Sequence, residues 1–377
     1  MKTILIITKK PLHKSPRVLK QITALKSNYE ISTIGLTPSG EEEHYYSYDK
    51  LRKVKHILRL PLLKLRMFNK YYWDKNKINL VNKLSHYEYD AIIAHNEEML
   101  PLAIEISNKS KIILDAHEYT PDADGTFLWR FFLKNYSEYL CDTYLNKSDA
   151  MITVSDGISK LYCEKYGVES YVIKNSTNYF DLSPSKIEGT VKLIHHGFAH
   201  PGRKIELMIE TMKYLGNGYS LDLMLDNRLN KRHYKKIERK AQKLHNVNLV
   251  DPVPFEEIVY RINKYDIGIY ILKPFCLSAK YALPNKMFEF VQARLAIAIA
   301  PAAEMGKIVD SLNLGVVAKD YSPKSMAKAI SGLSKEKIMH YKEQAHKHAW
   351  ELSSQKGIKQ IRTIVDNMLA ESTTSDV

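Results

Sequence analysis

Cysteine is scarce in this 377-residue chain. Cys141, Cys163 and Cys276 are odd in number, far apart and without a CxxC pair, which argues against a disulfide framework and against a zinc site built on thiolates. Long apolar runs are also missing. LAIAIAPAA, residues 295 to 303, is interrupted by Pro301 and falls well short of the roughly 20 residues that span a bilayer. The opening MKTILIITKKPLHKSPR meets Lys9 and Lys10 too early for a signal-peptide core of about 7 to 15 residues, so it reads as a first strand and the chain is expected in the cytoplasm. No internal repeat and no low-complexity tract interrupts the sequence. Acidic residues fall short of basic ones, 42 against 56, for a formal charge of +14. That excess favours phosphate-bearing partners: nucleic acid, lipid headgroups or an anionic substrate.

The distribution of charge narrows these choices. From Lys50 and Arg52 to Lys83, cations face Asp74 alone and are interleaved with Leu58, Leu60, Leu62, Leu63, Phe68, Tyr71, Tyr72 and Trp73. Such a segment, residues 50–83, suits an anionic membrane surface, or else a solvated loop and helix. No groove-reading helix or nucleic-acid module accompanies it, so nucleic acid is not an expected partner.

Short β-rich runs alternate with helical segments along the whole chain: TILIIT, EISTIG, DAIIAH, KIILDA, AMITVS and YVIKN, then VKLIHHG, YSLDLML, VNLVD, IGIYIL, LAIAIA and LGVVA. This pattern predicts an α/β protein with two doubly wound, Rossmann-like domains of parallel strands. SPSKIEGT, residues 183–190, has linker composition and separates an N-terminal domain, 1–182, from a C-terminal domain, 191–350, with a closing helix over 351–377 that ends in a polar tail prone to fray. Two such domains facing each other would form a cleft, and the residues after their strands are the candidates for chemistry.

In the first domain these are Arg17 after strand one, His95, Asn96 and Glu97 after DAIIA, and Asp115, His117 and Glu118 after KIIL. A histidine near neutrality moves protons when a carboxylate orients it. In the second domain, HHGFAHPGRK, residues 195 to 204, supplies Gly197 for close backbone approach, with Arg203 opening a helix where an anion could bind. LPNKMFEF, residues 283 to 290, sets Pro284 at a helix start, Asn285 and Lys286 beside free N–H groups, and Glu289 a turn later.

These motifs resemble the GT-B glycosyltransferases, and among them the family-4-type bacterial enzymes of surface polysaccharide biosynthesis. The segments similar to that family cover nearly the whole chain: SPRVLKQITALKSNYEISTIG, DAIIAHNEEMLPLAIEIS and KIILDAHEY on the acceptor side, then LIHHGFAHPGRKIELMIETM and LPNKMFEFVQARLAIAIAP on the donor side. The resemblance implies transfer of a hexose from a nucleotide diphospho-sugar, a UDP-sugar first, to a hydroxyl of a glycan or lipid-linked glycan of capsule, lipopolysaccharide or exopolysaccharide. It implies donor binding by Gly197, Arg203, Lys204, Tyr281, Asn285, Lys286 and Glu289, the last on the ribose. It sets His117 at the reacting centre with Asp115 and Glu118 as alternatives, and Arg17, His95, Asn96 and Glu97 on the acceptor side. The closing helix would cross back onto the first domain, and the protein would work in the cytoplasm or peripherally on the inner face of the membrane.

One position departs from the pattern. Tyr281 stands where many members carry a second glutamate that contacts the donor sugar. Asp122 and Asp124 in PDADG mimic the metal-binding DxD of a different glycosyltransferase fold, but Arg203, Lys286 and a helix N-terminus offer positive charge for the same diphosphate, so neither a metal nor a cofactor is expected. Two alternatives stay open, a nucleotide-sugar epimerase on the same architecture and a non-catalytic phosphate- or nucleic-acid-binding protein.

Overall fold

A computed structural model describes residues 1–49 and 53–374. Lys50 and Arg52 of the basic segment and the last residues of the polar tail lie outside the described residues. The chain divides into two compact units. The first comprises Met1–Lys174, Phe275–Ala282 and Gly357–Val377, and the second comprises Asn175–Pro274 and Leu283–Lys356.

The first unit holds β1 (Thr3–Ile7), β2 (Glu30–Gly35), β3 (His44–Ser47), β4 (Ala91–His95), β5 (Lys111–Asp115), β6 (Ala150–Thr153) and β7 (Tyr171–Val172). They form one parallel sheet in the order β3-β2-β1-β4-β5-β6-β7. Alternation along β1 sends Leu5 and Ile7 to one core and Ile4 and Ile6 to the other. On the second face, Ile361, Ile364, Val365 and Leu369 of the closing helix Ser354–Thr374 bury a stripe of helical period against Ile4 and Ile6.

The second unit holds β8 (Val191–Phe198), β9 (Tyr219–Asp226), β10 (Val247–Val250), β11 (Ile267–Tyr270), β12 (Ala296–Ile299) and β13 (Gly315–Val317). Their order is β10-β9-β8-β11-β12-β13, again all parallel. Both sheets reverse their winding direction once, between β1 and β4 and between β8 and β11. Ligands of open parallel sheets bind outside the carboxyl ends of the strands at such reversals.

The helices depart from expectation in four places. The basic segment, which follows β3, holds three helices, Lys53–Lys64, Phe68–Tyr72 and Lys75–Leu84, the last capped by the Asp74 carboxylate on Asn76 N and Lys77 N. Between β5 and β6, where the sequence reads simply as helical, the chain breaks at Leu133 into two helices, Phe127–Phe132 and Lys134–Tyr144. The helix expected from Arg203 starts instead at Ile205, because Lys204 takes a left-handed φ of 49°. A short helix Leu277–Lys280 stands where no element was expected, in a segment that belongs to the first unit although its neighbours in sequence belong to the second.

Helix Asn285–Gln292 packs closely on its sheet, with Met287, Phe288, Phe290 and Val291 in one core with Ile297 and Ile299. A Cβ on Gly268 of β11 would lie 2.4 Å from the Phe290 ring, so the strand carries glycine where the ring sits. Gly268→Ala should therefore lower stability by about 1–3 kcal/mol, as overpacked core substitutions do, read as a fall in denaturant midpoint at unchanged m-value.

Candidate active site

At the reversal of the first sheet, Asp115 ends β5 fully buried. Arg17 answers its charge from the first helix: Nε donates to Oδ2 at 2.7 Å and Nη2 to Oδ1 at 2.7 Å, while Nη1 donates to Ile173 O. Gln21, one turn on, donates to Oδ2 at 2.6 Å. Burial alone would raise the Asp115 pKa, but Arg17 and His117 hold it well below the ordinary range. Arg17 is thus a partner of Asp115 buried in the interior, where removing one member of such a pair costs about 3–5 kcal/mol.

His95 and His117 stand beside this pair. His95 Nδ1 lies 2.9 Å from His117 Nε2, and each is within 3.7 Å of Asp115 Oδ2. Burial pushes His95 down to about 3 against the pull of Asp115, with His117 and Arg17 pushing the same way, so it stays neutral. His117 is the partly accessible member of the pair. Its backbone N–H is held at 3.0 Å by Asn96 Oδ1, and Asn96 takes a φ of 65°, a strained position of the kind that concentrates at functional sites.

His95, Asp115 and His117 bring one potential metal-ligand atom each within 4.8 Å of one another. The chemistry of the set fits a cation poorly. Asp115 Oδ2 already accepts from Arg17 and Gln21, and a guanidinium shares the carboxylate. Asp122 and Asp124 serve the backbone instead: Asp122 Oδ2 accepts from Leu277 N and Asp124 Oδ1 from Thr126 N.

The neighbouring acids divide their work differently from expectation. Glu97 is buried, with Oε2 lacking a hydrogen-bond partner, whereas Glu98 lines a pocket and pairs with Lys9. Burial, reinforced by the charge of Glu98, raises Glu97 to about 7. Glu118 is exposed.

At the reversal of the second sheet, Lys286 is fully enclosed and its Nζ donates to His196 O at 2.5 Å. The ammonium fits because residue 197 is glycine: at φ 129°, a Cβ there would lie 2.7 Å from Nζ. Burial lowers Lys286 to about 7, Arg203 pushes it further down, and Glu289 opposes both. Glu289 is buried with Oε2 at 3.3 Å from His196 Nε2, and Arg203 Nη1 donates to Tyr270 OH at 2.9 Å. Gly197, Arg203, Lys286 and Glu289 are therefore brought together, while Lys204 is exposed. Asn285 is the first helical residue and does not cap, since Pro284 occupies the cap position. Tyr281 belongs to the first unit, where its carbonyl accepts from Ser155 Oγ at 2.8 Å and its ring packs on the first core.

Sequence reasoning missed His196 and Tyr270, which position Lys286, Glu289 and Arg203. The signal was alternation along β8 and β11, read for strand type and not for which residues meet at the reversal.

No known family and no curated protein matches the chain in sequence. Solved structures do match its fold. A glycosyltransferase from Rickettsia africae superposes with a TM-score of 0.71 at 13% identity, covering 98% of this chain and 98% of that one. The fold is that of the GT-B glycosyltransferases. Sucrose-phosphate synthase from Thermosynechococcus elongatus superposes at 0.73 with 10% identity, over 98% of this chain and 100% of that one. Anabaena HepE, solved with UDP-glucose, superposes at 0.69 with 12% identity, over 98% and 100%. Each of the two sheets carries a polar cluster at its reversal: Arg17, His95, Asp115 and His117 in the first unit, and Gly197, Arg203, Lys286 and Glu289 in the second.

Glu97 ionises near 4.5 in an unfolded chain and near 7 when folded. Between those values the unfolded state binds fewer protons, so this group removes stability as pH rises. Glu97→Gln should gain on the wild type by up to about 3 kcal/mol between about pH 4 and pH 8, measured by denaturant titration at each pH.

Proposed function

We propose that the protein transfers a hexose from a nucleotide diphospho-sugar, a UDP-sugar in the first instance, to a hydroxyl of a bacterial surface glycan. The observation that carries this reading is the Lys286, Arg203, Glu289 and His196 cluster at the reversal of the second sheet. Two cations and a buried carboxylate at one strand end suit a diphosphate and a ribose. A departing nucleotide diphosphate needs positive charge fixed in advance, and Arg203 with Lys286 supplies it without a metal. An anion there would also restore the proton that burial loosens on Lys286. HepE binds UDP-glucose through this same fold, which supports the choice of donor.

In the transfer, the bond between C1 of the sugar and the diphosphate oxygen breaks, and a bond from C1 to the acceptor oxygen forms as the acceptor hydroxyl gives up its proton. His117, held by neutral His95 and by Asn96, is our choice for the side chain beside the reacting groups. Asp115 is spent on Arg17 and acts by orienting.

Attachment to a membrane belongs to the same proposal. No helix among the described residues is long and apolar enough to cross one. The first unit instead exposes Ile57, Leu58 and Leu65 next to Phe127, Leu128 and Phe131, with Leu58 at 72% and Phe127 at 77% exposure. Lys64 lies over the Phe131 ring at 2.6 Å, and Arg66, Lys70 and Arg130, close in sequence to these apolar residues, are exposed. Apolar side chains rimmed by cations suit an interface of anionic headgroups and acyl chains.

Glu289→Ala and Lys286→Ala should each weaken UDP binding at least about tenfold, a loss of about 1.4 kcal/mol, while thermal midpoints stay within a few degrees. Turnover of a UDP-sugar with acceptor should survive EDTA. Wild-type affinity for UDP in both variants, by calorimetry, removes the donor assignment. For the membrane, Phe127→Ser with Leu128→Ser should abolish sedimentation with vesicles of phosphatidylglycerol and phosphatidylcholine, and wild-type binding should fall with salt. Equal sedimentation with pure phosphatidylcholine counts against an anionic surface.

A further inference from the structure

A pocket of about 430 Å³ opens on the first unit beside the carboxyl ends of β1 and β4, within the size range of small-molecule sites. Its walls include four tyrosines, Tyr48, Tyr71, Tyr72 and Tyr136, with Tyr71 and Tyr136 set edge to face at 4.9 Å. Aromatic faces with polar groups between them suit a sugar ring, whose C–H faces pack while its hydroxyls bond.

The charges lining this pocket do not cancel. Lys9 pairs with Glu98, and Lys77 with Asp74 at 3.0 Å, which neutralises four of them. Lys10 and Arg59 are left with Asp49. Among the described residues neither Lys10 nor Arg59 makes an ion pair. Arg59 Nη2 donates to the carbonyls of Lys70, Tyr71 and Trp73, at 2.5, 2.7 and 2.8 Å, and its Nε is buried without a partner. A buried donor of a charged group costs free energy until an acceptor arrives. Lys10 stands on the side of the histidines, since Glu118 feels the fields of both Lys10 and His117.

We infer that this pocket binds a sugar residue carrying an anionic group, a carboxylate or a phosphate, as part of the acceptor. The word acceptor rests on the glycosyltransferase reading; the binding itself does not, because it is measured without turnover. The tyrosines hold the ring, and Lys10 with Arg59 selects for negative charge. Asp49 is left to accept a sugar hydroxyl.

The test uses the full chain with D-glucuronate, D-glucose 6-phosphate, D-glucose and inorganic phosphate as probes, with dissociation constants from saturation-transfer NMR. At least one of the two acidic sugars should bind about tenfold or more tighter than glucose and than phosphate alone, the gain expected of charge-assisted hydrogen bonds. Whichever binds identifies the anionic group. Lys10→Met should erase that preference, and Arg59→Lys, which keeps the charge and loses the fork, should reduce it. UDP affinity should match the wild type in both variants and the thermal midpoint should do so in Lys10→Met, which separates loss of this pocket from loss of fold or of the donor site, while Arg59→Lys should melt lower for want of its bonds to three carbonyls. Glucose binding as tightly as both acidic sugars would overturn the inference. So would phosphate alone matching the tighter of the two acidic sugars, an ion site only, or a preference unchanged in Lys10→Met.

Discussion

A charge removed from water has to be answered by an opposite charge or by hydrogen bonds, and the two sheet reversals answer that demand in different ways. In the first unit, Asp115 is fully met by Arg17 and Gln21, so the buried charge becomes a fixed post against which His95 and His117 are set. In the second, Lys286 is enclosed with a carbonyl as hydrogen-bond acceptor, another cation in its field and Glu289 as the opposing charge. One reversal is balanced by its own residues. The other keeps an excess of positive charge, with Lys286 and Arg203 against Glu289.

Much of this was legible in the chain because parallel strands buried on both faces read as apolar runs. LAIAIA and KIIL could hardly be anything else. Once the strands were located, the polar residues after them followed, which is how Lys286, Glu289, His95 and His117 came to notice. The fold comparisons agree with that architecture at identities of 10 to 14%, where sequence matching found nothing.

What was not legible depended on handedness and on long-range return of the chain. Glu97 and Glu98 are chemically equal in sequence. The positive φ of Asn96 begins a tight turn, and of the two acids one is buried while the other lines the pocket. Lys204 likewise delays its helix by adopting a left-handed turn that no propensity assigns to lysine. Tyr281 sits four residues before Asn285, and adjacency suggested a shared site. The segment around it instead returns to the first unit, fastened by Asp122 to Leu277 N and by Ser155 to the Tyr281 carbonyl.

The ring of Phe290 on bare Gly268 has a consequence for how the neighbouring Glu289 is held. A side chain resting directly on a strand has no slack, so any tilt of its helix is transmitted to the backbone beneath. Glu289, the preceding residue, therefore inherits its location from the second sheet and not from a loop. Arg59, by contrast, stands on a helix of the basic segment, outside both sheets, where no strand fixes the backbone beneath it.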